Sequence, residues 1–298
     1  MHNKPEKTPL WLRILQFPPA RLFLLGYPLF YCLGFSNAFM EQNAGIPLAQ
    51  AVAVAGMIAL ALWVYVLFAR YIERREPNDL AFNPGLKELG IGMLIGSGLY
   101  TLGVLVLIVL GHGRIEGMNP VSVMIPGITA AFSAGFLEEL LFRGALYRIV
   151  EEWLGSWISV LVSSVVFGMV HLMNPAATLT GAIFISIEAG VLLAAAYMLT
   201  RRLWLGIGFH ISWNYTQSAV FGGVVSGSIA EPGLFKTVFT GPELITGGGF
   251  GLEASLIPCI IATSAGVYLV VRAVRAGHVV QPFWSKPKET PHIALANA

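Results

Sequence analysis

Stretches of about twenty apolar residues alternate with short polar connections along nearly the whole chain. About 20 helical residues cross ~30 Å of hydrocarbon. Eight stretches reach that length, at approximately 21–40, 48–69, 89–111, 121–142, 157–173, 179–200, 203–221 and 252–271. The pattern predicts an all-α, polytopic membrane protein with about eight transmembrane helices and a cavity inside the helix bundle. The expected layout is an N-terminal tail over 1–20, a transmembrane domain over 21–273 and a C-terminal tail over 274–298. The first apolar stretch exceeds a typical signal-peptide h-region and seven more follow it, so it is expected to be a retained anchor.

Composition agrees with this reading. Of 298 residues, 56% are hydrophobic and 11% charged, against about 25% charged in an average soluble domain. The mean hydropathy is +0.72, so lipid is the expected solvent for most of the chain. The net charge is only +2 and no long basic run occurs, which argues against nucleic acid as a partner. Cys32 and Cys259 lie in apolar stretches and define neither a disulfide framework nor a CxxC metal site.

Positive charge sets the expected orientation. Lys4, Lys7, Arg13 and Arg21 precede the first stretch, and Arg70, Arg74, Arg75 and Lys87 follow the second. Arg143 and Arg148 follow the fourth, Arg201 and Arg202 the sixth, and Arg272, Arg275, Lys286 and Lys288 the eighth, while the alternate loops hold little beyond Arg114 and Lys236. Both termini are expected in the cytoplasm. The long connection over 222–251 is rich in Gly, Ser and Thr and is expected to form an irregular cap or re-entrant loop. Its TGGGFG segment lacks the GK[ST] of a phosphate loop.

Ionisable groups at membrane depth are costly, and therefore point to function. Glu138, Glu139, Glu188, His171 and His210 are the clearest cases. Glu139 and Arg143 are four apart and share a helix face, where they can pair. Glu138 points about 100° away and is left unpaired, in the position of a general base. Glu151 and Glu152 lie near Arg148 and are expected on a solvated face. From the turn near Gly155, Glu138 and His171 are ~20 and ~24 Å away along antiparallel helices, nearly the same depth. His210 and Asn214 are spaced i, i+4, presenting an imidazole and a carboxamide to one point, as an oxyanion requires. Glu188, a lone acid on the sixth stretch, is left as a supporting group or an arginine partner.

Other chemistries are excluded or weakened by what is absent. Asp79 is the only aspartate, so an intramembrane aspartyl protease with its two acids is ruled out. No HExxH zinc helix and no GxSxG elbow occurs, although Ser133, Ser163 and Ser164 lie in apolar stretches.

The order Glu138-Glu139-Leu-Leu-Phe-Arg143, then Phe167-Gly-Met-Val-His171, then His210-Ile-Ser-Trp-Asn214 resembles the EExxxR, FxxxH and HxxxN motifs of the CAAX-processing and bacteriocin-processing intramembrane proteases, the Abi or CPBP family. The resemblance covers roughly 128–217, within a family-like core over about 121–221, and Tyr197-Met-Leu-Thr-Arg-Arg-Leu-Trp204 looks like bacterial members. It implies that Glu138 and His171 activate water, that His210 and Asn214 hold the oxyanion, and that Arg143 secures Glu139. Its description as metal-dependent makes Glu138, His171 and His210 candidate zinc ligands, with Glu139 a further carboxylate. Asn214 beside His210 suits an oxyanion hole better than a metal shell. The expected partner is a membrane-associated peptide or protein substrate in the lipid bilayer. Two alternatives from other classes are a non-catalytic peptide-binding or immunity protein and a proton-coupled transporter; against transport, no inverted repeat relates the halves.

Overall fold

The computed structural model describes residues 9–285. Lys4, Lys7, Lys286 and Lys288, and the outer parts of the two expected tails, lie outside those residues. A short helix α1 (Leu10–Leu15) occupies part of the expected N-terminal tail. Seven described helices are long and apolar enough to cross a membrane. Six of them are α2 (Pro18–Gln42), α3 (Pro47–Glu73), α4 (Phe82–Val109), α5 (Val121–Leu154), α6 (Ser156–Met173) and α7 (Leu179–Thr200). The seventh predicted span becomes α8 (Trp204–Tyr215), prolonged by a π-helical turn over Thr216–Val220. The last membrane-length helix is α9 (Leu256–Arg275).

The expectation of an all-α polytopic protein therefore holds, with one adjustment to the eight spans. Helix α8 is the short one, and every residue from Trp204 to Asn214 is buried. It need not match the bilayer thickness because its neighbours, rather than lipid, surround it. The other helices turn large apolar side chains outward, with Val109 85% and Leu94 77% exposed. In water such surfaces would drive aggregation, whereas in lipid they are the solvated face.

Local chemistry sets the helix ends. Pro18 and Pro47 begin α2 and α3, where a missing N–H costs nothing. Gly155 adopts φ +83°, which lets α6 fold back on α5.

Helices α4 and α8 pack through backbone rather than side chains. Gly92 and Gly96 of α4 are buried, and a Cβ on either would run into the carbonyl of Leu205 or Phe209 on α8. Gly208 of α8 returns the contact against the Leu89 carbonyl. This small-xxx-small seam is the membrane solution for close approach. Around it lie two aromatic and aliphatic clusters, one including Tyr65, Leu137, Leu140 and Ile207, the other Tyr100, Leu192, Trp213 and Phe221.

The two ends of the bundle differ. At one end, Glu73 accepts from Arg75 and Arg148 at 2.7 and 2.9 Å and also pairs with Arg21. Arg202 pairs with Glu88 through Nε at 2.9 Å. Glu151, expected on a solvated face, is 3% exposed, and it accepts from Tyr147 at 2.9 Å and Ser156 at 2.6 Å and pairs with Arg201. The Gly155 turn and the α7–α8 connection bring these partners around Glu151, which sequence spacing does not reveal. Glu152 is 43% exposed and pairs with Arg148.

At the other end, the connection over 222–251 is more ordered than a loop. Its strand β2 (Phe235–Phe239) pairs antiparallel with β1 (Gly113–Met118), Arg114 opposite Val238 and Ile115 opposite Thr237. Ala176 donates its N–H to the Gly227 carbonyl at 2.8 Å, and Gly227 to Phe250 at 2.7 Å. These bonds stitch a cap over the bundle.

The glycine seam gives a direct test. Gly92→Ala should destabilise the purified protein by about 1–3 kcal/mol through overpacking, seen as a lower thermal unfolding midpoint in detergent. Gly98→Ala, whose Cβ would meet nothing within 4 Å, should leave the midpoint unchanged or slightly raised.

Candidate active site

The motif residues lie on α5, α6 and α8, and π-helical stretches interrupt α5, α7 and the end of α8 around them. In α5 the π stretch Leu140–Tyr147 begins immediately after Glu139. In α7 the stretch Ser186–Gly190 carries Glu188, and in α8 the stretch Thr216–Val220 starts two residues after Asn214. Such bulges shift the helical register and free backbone carbonyls for other donors.

Arg143 takes up two of the freed carbonyls. Its Nη2 donates to the Ala189 and Gly190 carbonyls, each at 3.3 Å, while Nη1 binds Glu139 Oε1 at 2.9 Å. The guanidinium also lies over the Phe167 ring at 4.6 Å. Both partners of the ion pair are 0% exposed. The i, i+4 pairing expected from the sequence is therefore present, and it clamps α5 to α7.

Glu139 passes the constraint to α8. The same Oε1 lies 3.0 Å from His210 Nδ1. A carboxylate already held by arginine can only accept, so His210 donates from Nδ1 and presents Nε2 to the site. Glu138 Oε2 is 3.9 Å from that Nε2 and has no hydrogen-bond partner. This separation exceeds a direct hydrogen bond but suits a group that binds both.

His171 is fixed by similar logic. It lies at the end of α6, 9% exposed, with Nδ1 2.7 Å from the Phe167 carbonyl. A carbonyl only accepts, so His171 too presents Nε2. Phe167 touches both imidazoles, with ring centroids 4.7 Å from His171 and 6.1 Å from His210. No hydrogen bond joins His171 to Glu138, His210 or Asn214 among the described residues.

His210 and Asn214 line one small, partly open cavity of about 20 Å³, together with Glu188, Glu253, Ser226 and Trp213, and that volume suits about one water-sized group. Of the expected residues, Arg143, Glu139 and His210 are hydrogen-bonded in series and Glu138 lies beside His210, His171 shares only the Phe167 ring with His210, and neither Glu138 nor His171 lines this cavity.

Two residues of this cavity escaped the sequence reading. Glu253 falls just before α9, where an acid reads as interfacial, yet it is 3% exposed and its Oε2 accepts from Ser226 N at 2.5 Å and Ser226 Oγ at 2.8 Å. Burial pushes its carboxyl above the usual range, against the Ser226 bonds and the field of His171. Only the cap brings Ser226 and Glu253 over the bundle. Glu188 has no arginine partner; both its oxygens are buried and unbonded. Ser133 is engaged with Ser36 at 2.7 Å and Ser163 with the Val160 carbonyl at 3.4 Å.

Two histidines and a carboxylate are suitable zinc donors in kind. Among the described residues, however, no three His, Cys, Asp or Glu side chains converge into a metal shell. Glu138, His171 and His210 therefore do not fit a zinc site as arranged.

Residues 120–216 match the model of the family described as Type II CAAX prenyl endopeptidase Rce1-like. The match spans all three motifs, so the CAAX-protease (CPBP) family implied by the residues is borne out for this membrane core. No curated protein and no solved structure matches the chain.

The Arg143 clamp makes a thermodynamic prediction. Arg143→Met leaves Glu139 charged and buried, and should cost about 3–5 kcal/mol. Arg143→Met combined with Glu139→Gln should recover part of that loss, because the Glu139 charge is removed together with its partner. Thermal unfolding of the purified variants checks this; equal midpoints for single and double variant would contradict the coupling.

Proposed function

We propose that the chain is an intramembrane endopeptidase of the CAAX type, hydrolysing a peptide bond of a membrane-associated or lipidated protein or peptide. The family match supports the reaction class. The observation that carries the residue assignment is that both histidines have Nδ1 engaged and Nε2 free, with Glu138 beside one of them and Asn214 in the same cavity.

In this reading Glu138, assisted by His171, takes a proton from water as its oxygen attacks the scissile carbonyl carbon. The carbonyl oxygen becomes an oxyanion. His210, its imidazolium form compensated by Glu139, donates from Nε2, and Asn214 donates from Nδ2. Collapse of the tetrahedral species breaks the C–N bond, and the proton held at Glu138 passes to the leaving nitrogen. Glu139 and Arg143 touch no substrate; Glu139 anchors the His210 ring through Nδ1 and compensates its imidazolium charge, and Arg143 holds Glu139 in place. The buried setting strengthens each of these electrostatic contributions because little water screens them.

By the positive-inside rule we read the arginine-rich end, with both termini, as facing a bacterial cytoplasm and the cap as facing outward. A topology reporter joined to the C-terminus should read cytoplasmic, and one inserted near residue 241 should read external.

Proteolysis is tested by mapping new protein termini in membranes from cells carrying wild type or Glu138→Gln at matched expression. Termini that need the wild type are expected, with Glu138→Gln slowing cleavage by about 10²–10⁴. Asn214→Ala should cost about 10²–10³. Equal sets of termini, with both proteins folded, would reject the reading and favour peptide binding. A gradient-driven proton flux in liposomes that Glu138→Gln abolishes would favour transport.

A further inference from the structure

The cavity holds two acids that the reaction above does not use. Glu188 is 1% exposed, with both oxygens buried and unbonded, and Glu253 from the cap is 3% exposed. None of the ion pairs among the described residues includes either acid. Arg143 of α5, which reaches the α7 stretch carrying Glu188, meets the Ala189 and Gly190 carbonyls and Glu139 instead. The π stretch that supplies those carbonyls is also what sets Glu188 in the cavity wall.

Buried carboxyls facing one small space favour a cation there. Aromatic rings of Phe209 and Trp213 complete the wall, and such surfaces attract ammonium groups. The volume, about 20 Å³, matches a group of roughly the size of water. A primary ammonium head has that size, whereas a planar guanidinium does not fit. His210 and Asn214, the proposed oxyanion donors, line the same cavity, so a cation here would sit beside the scissile bond.

We propose that Glu188 and Glu253 form a primary-ammonium subsite next to the oxyanion donors. Its position beside the scissile bond rests on the proteolytic reading; the binding itself does not. Two sources present this chemistry: the side chain of a substrate lysine close to the scissile bond, and the amino group that hydrolysis creates. Either would meet Glu253 where Ser226 holds it through backbone and side chain.

The experiment uses the purified full-length protein in detergent, with methylammonium chloride as probe. The thermal midpoint should rise and saturate with methylammonium beyond the effect of sodium chloride at equal ionic strength, and tetramethylammonium should fail to reproduce it. Glu188→Gln and Glu253→Gln should each weaken the response at least about tenfold. Two variants are used so that poor folding of one leaves the other informative. No saturable response in the wild type, equal responses in the variants, or an equal effect of tetramethylammonium overturns the proposal.

The source is read from cleavage. A lysine recurring at one fixed position around wild-type-dependent termini assigns the side chain. Competitive inhibition by methylammonium without lysine bias assigns the new amino group, and cleavage showing neither overturns the placement beside the scissile bond. Methylammonium binding needs no turnover, so the subsite survives if the Glu138→Gln comparison rejects proteolysis.

Discussion

A single buried guanidinium organises the centre of this protein. Arg143 has no exposure and must be compensated where it stands, because an unpaired charge inside a membrane bundle is among the costliest arrangements a fold can hold. Glu139 supplies the opposite charge, and its Oε1 at the same time takes the Nδ1 proton of His210. The Ala189 and Gly190 carbonyls accept from Nη2, while Nε stays buried without a partner among the described residues. One ion pair thereby fixes three helices relative to one another and sets which nitrogen of His210 faces the site. A buried pair of this kind adds little net stability compared with apolar packing, but breaking one half is expensive. Its value is geometric.

That constraint works because the surrounding helices can approach closely and bend locally. The glycine seam between α4 and α8 lets the short, buried α8 lie in the middle of the bundle. The π stretches supply what a regular helix lacks. A straight α-helix engages nearly all of its own carbonyls, so Arg143 would find no acceptors on α7 and Glu188 would sit in another register. Lipid cannot satisfy backbone groups, so each irregularity must be buried against a specific donor.

The cap changes the character of the site. Without the segment around Ser226 and Glu253, the polar wall formed by His210 and Asn214 would be a cleft open at one end. With it, the cavity is covered on that side, acidic on one wall and donor-lined on the other. Such cover lowers the exposure to water and strengthens the electrostatic contacts inside. It also brings Glu253 into the field of His171, linking the outer segment to the membrane core.

The sequence by itself determined the class of fold, the family-level resemblance and the Glu139–Arg143 pairing. Apolar stretches of membrane length can only be helices, because the backbone must satisfy itself in lipid. Rare charges at depth announce function for the same energetic reason, and i, i+4 spacing placed Glu139 with Arg143 and His210 with Asn214. Those are local rules, read along one helix. What only the tertiary structure decided involves partners distant along the chain: Ser226 and Glu253 meeting His210, Arg143 reaching the α7 carbonyls, Glu151 enclosed by Ser156 and Arg201, and β2 finding β1. An acid at a helix end or in a glycine-rich connection has the same local signature whether solvated or buried. Its environment is set by the helix crossings and the cap, which no periodicity encodes.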